Sequence, residues 1–182
     1  MNLKRLRIAL WLLVAVAAVF FGFLAWQLQQ PKNDFVKSAV VGQPVPEFAL
    51  EPATSGRPGL SSSDLATGEP QLLNLFGSWC IPCRIEAPQL DALERQGATI
   101  NAIALRDRPE DVERFLETYG NPFTRIGRDD ISETQFLLGA SGVPETFVID
   151  GEGRITYQHI GLIAESDVPR LLEELREAGA GS

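Results

Sequence analysis

The chain has 182 residues, enough for one ordinary domain with its own core and too few for two beside a membrane segment. Its formal charge is -8, but five of the 16 basic residues and one of the 24 acidic residues precede Gly42, leaving 11 basic against 23 acidic, net -12, over residues 42–182. That balance argues against a nucleic-acid partner, whose phosphates need a basic face, and two cysteines cannot build a multi-bridge scaffold.

Residues 8–26 carry no charge and are rich in Ala, Val, Leu, Phe and Trp. As a helix they would extend about 28 Å, close to the hydrocarbon thickness of a bilayer. Lys4, Arg5 and Arg7 precede the run, and the nearest charge beyond it is Lys32. The positive-inside bias therefore keeps the N-terminus cytoplasmic and places everything after Gln27 outside. Trp26 suits an interfacial position, Trp11 less well. A cleaved signal peptide would have a shorter apolar core and a small-x-small cleavage site, and residues 24–30 show neither. The expected organisation is a cytoplasmic N-terminus and transmembrane signal anchor over 1–28, a tether over 29–41, and a folded domain over 42–182.

Within that domain, Gly42-Gln43-Pro44-Val45-Pro46 is an extended lead-in, residues 47–50 suggest a short strand, and 55–63 are rich in Gly, Pro and Ser. Ser63-Asp64-Leu65 suits one helical turn. Residues 71–77 form an almost continuous apolar run, as in a strand buried on both faces. A helix is predicted over 82–96, stopped by Gly97 and kinked near Pro88. A strand over 99–105 follows, then a helix over 109–119 with Pro109 near its start and Gly120 as its stop. A short strand is expected over 123–126 and a short helix over 132–138, capped by Ser132 or Asp130. Residues 145–149 and 155–160 form strands around the Asp150-Gly151-Glu152-Gly153 turn. The last helix, 166–177, turns Val168, Leu171, Leu172 and Leu175 inward. Helical crossovers between inner strands imply parallel pairing, and the terminal hairpin adds an antiparallel edge, giving an α/β domain with a mixed sheet.

Both cysteines lie in Trp79-Cys80-Ile81-Pro82-Cys83, between the buried strand and a helix. A bridge across so short a loop removes little unfolded-state entropy, which favours a reactive role over a stapling one. At a helix N-terminus, unpaired N–H groups and the dipole favour the Cys80 thiolate. Cys83, one turn deeper, is placed to attack a mixed disulfide formed at Cys80. Such a pair needs the first thiol exposed and the second shielded. Pro82 fits the first turn, where its missing N–H has no helical partner. As half of a zinc site the pair would lack ligands, since only His159 joins the carboxylates, and His159 reads as a cap or packing residue of the outer hairpin.

Three segments together resemble the CcmG/DsbE family, thioredoxin-like, membrane-anchored thiol:disulfide interchange proteins of cytochrome c maturation. They are Trp79-Cys80-Ile81-Pro82-Cys83-Arg84-Ile85-Glu86, the Gly42-Gln43-Pro44-Val45-Pro46 lead-in, and Gly142-Val143-Pro144-Glu145-Thr146-Phe147-Val148-Ile149-Asp150-Gly151. The resemblance runs from the anchor to the last helix. It implies a thioredoxin-like fold, a central mixed sheet flanked by helices, behind one N-terminal transmembrane helix. It also implies a single-pass inner-membrane protein with a periplasmic catalytic domain that reduces the haem-binding C-x-x-C-H disulfide of apocytochrome c. The redox-active Cys80-Cys83 disulfide is then the only active group, with no metal or cofactor. A DsbD-type membrane reductase would recharge it, and other cytochrome c maturation proteins would be further partners. By position, Cys80 is the nucleophile, Cys83 the resolving thiol, and Pro144, after Val143, the cis-proline facing them.

Two positions depart from related patterns. Thioredoxin has a buried Asp six residues before the first Cys, where this chain has Asn74, which takes no proton at neutral pH. Glu86, one turn after Cys83, and Glu145, beside Pro144, are therefore expected to supply carboxylates near the dithiol, opposing the helix dipole at Cys80. The competing reading makes both solvated surface acids. The second departure is Ile81-Pro82, where relatives often carry Pro before a small polar residue, and this dipeptide influences the potential. Other functions considered are a broader TlpA-like extracytoplasmic reductase and a non-redox module that binds apocytochrome or haem. A thiol peroxidase is disfavoured because residues 72–80 lack the Pro and Thr of a peroxidatic context.

Overall fold

A computed structural model describes residues 3–29 and 40–181. The chain divides into two units between residues 37 and 38. The first contains α1 (Leu3–Gln29), which runs past the expected 8–26 span at both ends. Its side chains are described continuously only over residues 10–23, and the span expected over 8–26 extends beyond that run. Among the described residues no helix is long and apolar enough to cross a membrane. The tether expected over 29–41 lies almost wholly outside the described residues.

The second unit contains, in chain order, β1 (Ala49–Leu50), β2 (Leu60–Ser61), a 3-10 turn (Ser62–Leu65), β3 (Gln71–Phe76), α2 (Ile81–Arg95), β4 (Ile100–Leu105), α3 (Pro109–Tyr119), β5 (Phe123–Asp129), α4 (Glu133–Leu137), β6 (Glu145–Ile149), β7 (Ile155–Ile160), a second 3-10 turn (Glu165–Asp167) and α5 (Val168–Ala180). One five-stranded sheet has the order β5-β4-β3-β6-β7. The helical crossovers make β3, β4 and β5 parallel, while β6 runs antiparallel to β3, and β7 antiparallel to β6. Every residue of β3 and β4 is buried, including Gln71, Asn74 and Asn101, which interrupt their otherwise apolar runs.

Strand alternation sorts these side chains into two cores. Leu72 and Phe76 of β3 pack with Cys83, Leu90 and Leu93 of α2, Phe115 of α3 and Leu171 of α5. The Phe76 ring lies 5.3 Å from both Phe115 and Phe123. Leu73 and Leu75 face the other way, onto Leu60, Leu65, Leu105, Leu138 and Phe147. Long helices therefore cover one face, whereas the second is closed by Val45, Phe48, Leu50 and Leu138, from the β1–β2 region and the end of α4.

Three local expectations change. β5 continues three residues past 126, to Asp129. α4 is not capped by Ser132 or Asp130: Ser132 makes no side-chain cap bond, and the Asp129 carboxylate accepts the Glu133 and Gln135 N–H groups at 3.0 and 3.1 Å. α2 begins one residue earlier than expected, at Ile81, and contains Pro88 as expected. Gly120 stops α3 with φ +108°, and a Cβ there would meet the Asp91 carboxylate at 2.8 Å.

Candidate active site

Because β3 and β4 are parallel and β6 opposes them, the chain leaving β3 at Phe76, the chain leaving β4 at Leu105 and the chain entering β6 at Glu145 meet at one end of the sheet. The Cys pair, the loop after β4 and the Val143-Pro144 peptide all belong to that end. Cys80 occupies the N-cap position of α2, with φ -83° and ψ 112°, and its Sγ accepts the Cys83 N–H at 3.2 Å. Pro82 lies in the first turn as its chemistry predicts. Cys80 and Cys83 form a disulfide, with Cα atoms 5.3 Å apart. In this state both are shielded, Cys80 4% and Cys83 1% exposed, so the expected contrast of an open first thiol and a closed second one is absent from the oxidised form. The surrounding surface is apolar instead: Ile81 is 67% and Trp79 48% exposed. Gly77 leaves room for the indole, since a Cβ there would lie 2.7 Å from the ring.

Behind Cys83 lies a buried polar network. Asn74 Nδ2 donates to Glu86 Oε1 at 3.1 Å and to Thr146 Oγ1 at 2.9 Å, while Ile163 N–H donates to Glu86 Oε2 at 2.9 Å. Asn74, Glu86 and Thr146 are fully buried. Burial outweighs the two hydrogen bonds and pushes the Glu86 carboxyl up from 4.5 to about 7. Glu86 lies one turn beyond Cys83 on the same buried side of α2.

Glu145 is also fully buried, so neither acid is a solvated surface group. The two do not, however, form one cluster. Glu145 pairs with Leu75 and alternates with Thr146, which puts it on the face of Leu75 and Phe147, opposite the network of Asn74 and Glu86. Its carboxylate accepts the Ser141 N–H and Oγ–H at 2.9 and 3.1 Å and the Gln158 amide. The expected pair of carboxylates beside the dithiol is thus corrected to one, Glu86, with Glu145 bracing the loop that leads into Pro144. The Val143-Pro144 bond is cis, and Val143 touches both cores.

His159 Nε2 lies 3.1 Å from the Leu162 carbonyl and 3.9 Å from the Asp167 carboxylate, a packing role at the outer hairpin. Among the described residues no group of three or more His, Cys, Asp or Glu is placed to hold a metal. Sequence reasoning missed Thr146 and Ile163. Thr146 was legible as the cross-strand neighbour of Asn74 once the strands were paired. The Ile163 bond, 77 residues away from Glu86, has no local signal.

A Cys-x-x-Cys disulfide at the first turn of a helix following a central strand, with a cis-proline at the same end of the sheet, defines a thioredoxin-like thiol-disulfide exchange domain. Residues 41–158 match the AhpC/TSA family. The chain is 34% identical to the thiol:disulfide interchange protein HelX of Rhodobacter capsulatus over 166 residues, covering 91% of this chain and 94% of HelX. It is likewise 34% identical to the thiol:disulfide interchange protein DsbE of Escherichia coli K12 over 174 residues, 96% of this chain and 92% of DsbE. A crystal structure of a putative thiol:disulfide interchange protein DsbE from Chlorobium tepidum superposes with a TM-score of 0.65 at 28% identity, covering 75% of this chain and 95% of that one. The chain belongs to the DsbE/HelX family of thiol:disulfide interchange proteins and is a thiol-disulfide oxidoreductase.

Proposed function

We propose that the protein is a membrane-tethered, periplasmic reductase whose substrate is the disulfide of the haem-binding C-x-x-C-H site of apocytochrome c. The observation that carries the reading is the Cys80-Cys83 disulfide at the N-terminus of α2, backed by a carboxyl that titrates near neutrality. In the reduced protein the Cys80 thiolate, favoured by the helix N-terminus, attacks one substrate sulfur, and a substrate thiolate leaves. Cys83 then gives its proton to the Glu86 carboxylate and attacks Cys80 Sγ. The second substrate thiolate departs with the two electrons, and the Cys80-Cys83 disulfide remains. Asn74 serves by holding Glu86, which takes the place of the buried acid that thioredoxin carries at this strand position. Trp79, Ile81 and Pro82 form the apolar approach to Cys80, with Val143-Pro144 opposite. A DsbD-type membrane reductase restores the dithiol.

The anchoring reading rests on α1, whose uncharged stretch follows three basic residues. Leu12, Val16, Val19 and Phe20 are exposed in the helix, as expected of an element that meets lipid rather than water. An N-terminal tag resisting extraction by alkaline carbonate supports it, and release into the soluble fraction overturns it. Changing Cys83 to Ser in the full-length protein leaves the mixed disulfide at Cys80 unresolved. Trapping of apocytochrome c in a thiol-labile adduct supports the substrate assignment. Adducts made only with other extracytoplasmic proteins point to the broader TlpA-like reductase.

A further inference from the structure

The turn that delivers Cys80 into α2 is secured mainly through Ser78. The Gly77 carbonyl accepts the Cys80 N–H at 3.0 Å, which makes Ser78 and Trp79 the central pair of the turn. Each polar group of Ser78 has a partner. Its N–H donates to Asp107 Oδ2 at 2.5 Å and its Oγ–H to Asp107 Oδ1 at 2.8 Å. Its carbonyl accepts Arg84 Nε and Nη2 at 3.2 and 2.7 Å. Asp107 is buried in the loop after β4, and its Oδ1 also accepts the Arg108 N–H at 3.0 Å. Trp79 is fixed to the same loop, donating Nε1–H to the Leu105 carbonyl at 3.1 Å.

We propose that Asp107 is a positioning residue for the dithiol: its carboxylate fastens the Ser78-Trp79 turn to the β4–α3 loop, so that Cys80 Sγ stays at the first turn of α2 after the disulfide is reduced. In the oxidised protein the covalent bond to Cys83 already holds Cys80 in place. Once reduced, Cys80 is held only by its backbone, and its thiolate keeps the Cys83 N–H donor only if the turn stays fixed. The clamp therefore favours the dithiol over the disulfide. A simple charge effect has the opposite sign, because a neighbouring carboxylate opposes the Cys80 thiolate. The proposal depends on disulfide exchange at Cys80 and not on which protein is the substrate.

The test compares full-length wild type with Asp107→Ala and Asp107→Asn. Cys80 ionisation is read from the pH dependence of alkylation, and redox poise from equilibrium with glutathione, in which two GSH convert the protein disulfide to the dithiol and yield GSSG. Asp107→Ala is expected to raise the alkylation midpoint and to move the equilibrium about tenfold toward the disulfide, about 30 mV for two electrons. Asp107→Asn keeps an acceptor oxygen while losing the charge, so its midpoint stays below that of the Ala variant. A midpoint for Asp107→Ala above both wild type and Asp107→Asn supports positioning, and any other order overturns it. If Asp107→Ala fails to fold, Ser78→Ala, which loses only the Oγ bond, is read the same way: an upward shift supports the proposal, and none overturns it.

Discussion

Replacing Glu86 with Gln tests the buried acid through stability, independently of substrate. Folding raises the Glu86 carboxyl from 4.5 to about 7, so over that window the folded protein holds a proton that the unfolded chain has lost. Stability therefore falls as pH rises from 4.5 to about 7 and levels off above. At about 1.4 kcal/mol per pH unit, the buried carboxylate costs on the order of 3 kcal/mol at pH 8. The substituted amide side chain has no charge to bury and still offers an oxygen to the Ile163 N–H; its NH2 takes the place of the Oε1 that accepts from Asn74 Nδ2, so the Asn74 amide must turn over to present Oδ1, which has no hydrogen-bond partner in the wild type. Urea unfolding of the oxidised full-length protein at pH 4.5, 6, 7 and 8 reads the difference. The Glu86→Gln variant should gain about 3 kcal/mol on wild type between pH 4.5 and 8, a midpoint change of about 1–3 M for a urea slope of 1–3 kcal/mol/M. Titrations common to both proteins cancel. A stability difference that is the same at every pH refutes the assignment of a neutral-range titration to Glu86.

The two buried acids should also separate functionally. Glu86→Gln is expected to change the pH dependence of disulfide exchange near 7, whereas Glu145→Gln, on the opposite sheet face, should leave Cys80 alkylation unmoved. Parallel stopped-flow pH profiles check both. Glu145→Ala strands the two Ser141 donors and the Gln158 amide, at a cost of about 2–4 kcal/mol in urea unfolding. Phe76→Ala, at the centre of the cluster it forms with Phe115 and Phe123, should cost about 3–5 kcal/mol, read as a lowered midpoint with an unchanged slope.

Much of the fold was legible because periodicity and punctuation agreed. The apolar run over 72–76, the crossover helices and the turn at 150–153 together specified a parallel core with an antiparallel hairpin. What they could not specify was which non-local groups satisfy each buried polar atom. Asp129 caps α4 because β5 runs three residues further than its apolar pattern suggests, which brings that carboxylate to the helix start. Cys80, Cys83 and Pro82 were readable from their spacing at the start of a helix, and Trp79 from the resemblance of the segment that contains them. Glu86 and Glu145 look equivalent in sequence, each one step from a recognised element. Strand alternation assigns Glu145 to the far face, and only the register of β3 with β6 reveals it. The contact of Ser78 with Asp107 joins segments 29 residues apart through a loop whose path has no sequence signature.

The central claim, two-electron reduction of a C-x-x-C-H disulfide by the Cys80-Cys83 dithiol, is tested most directly by mixing the reduced full-length protein with a peptide carrying that oxidised site and counting thiols on both. One Cys80-Cys83 disulfide is expected to form for each peptide disulfide reduced, with no turnover by Cys80→Ala. Equal reduction by the Cys80→Ala, Cys83→Ala double variant, or peptide binding without any change in thiol count, would contradict it.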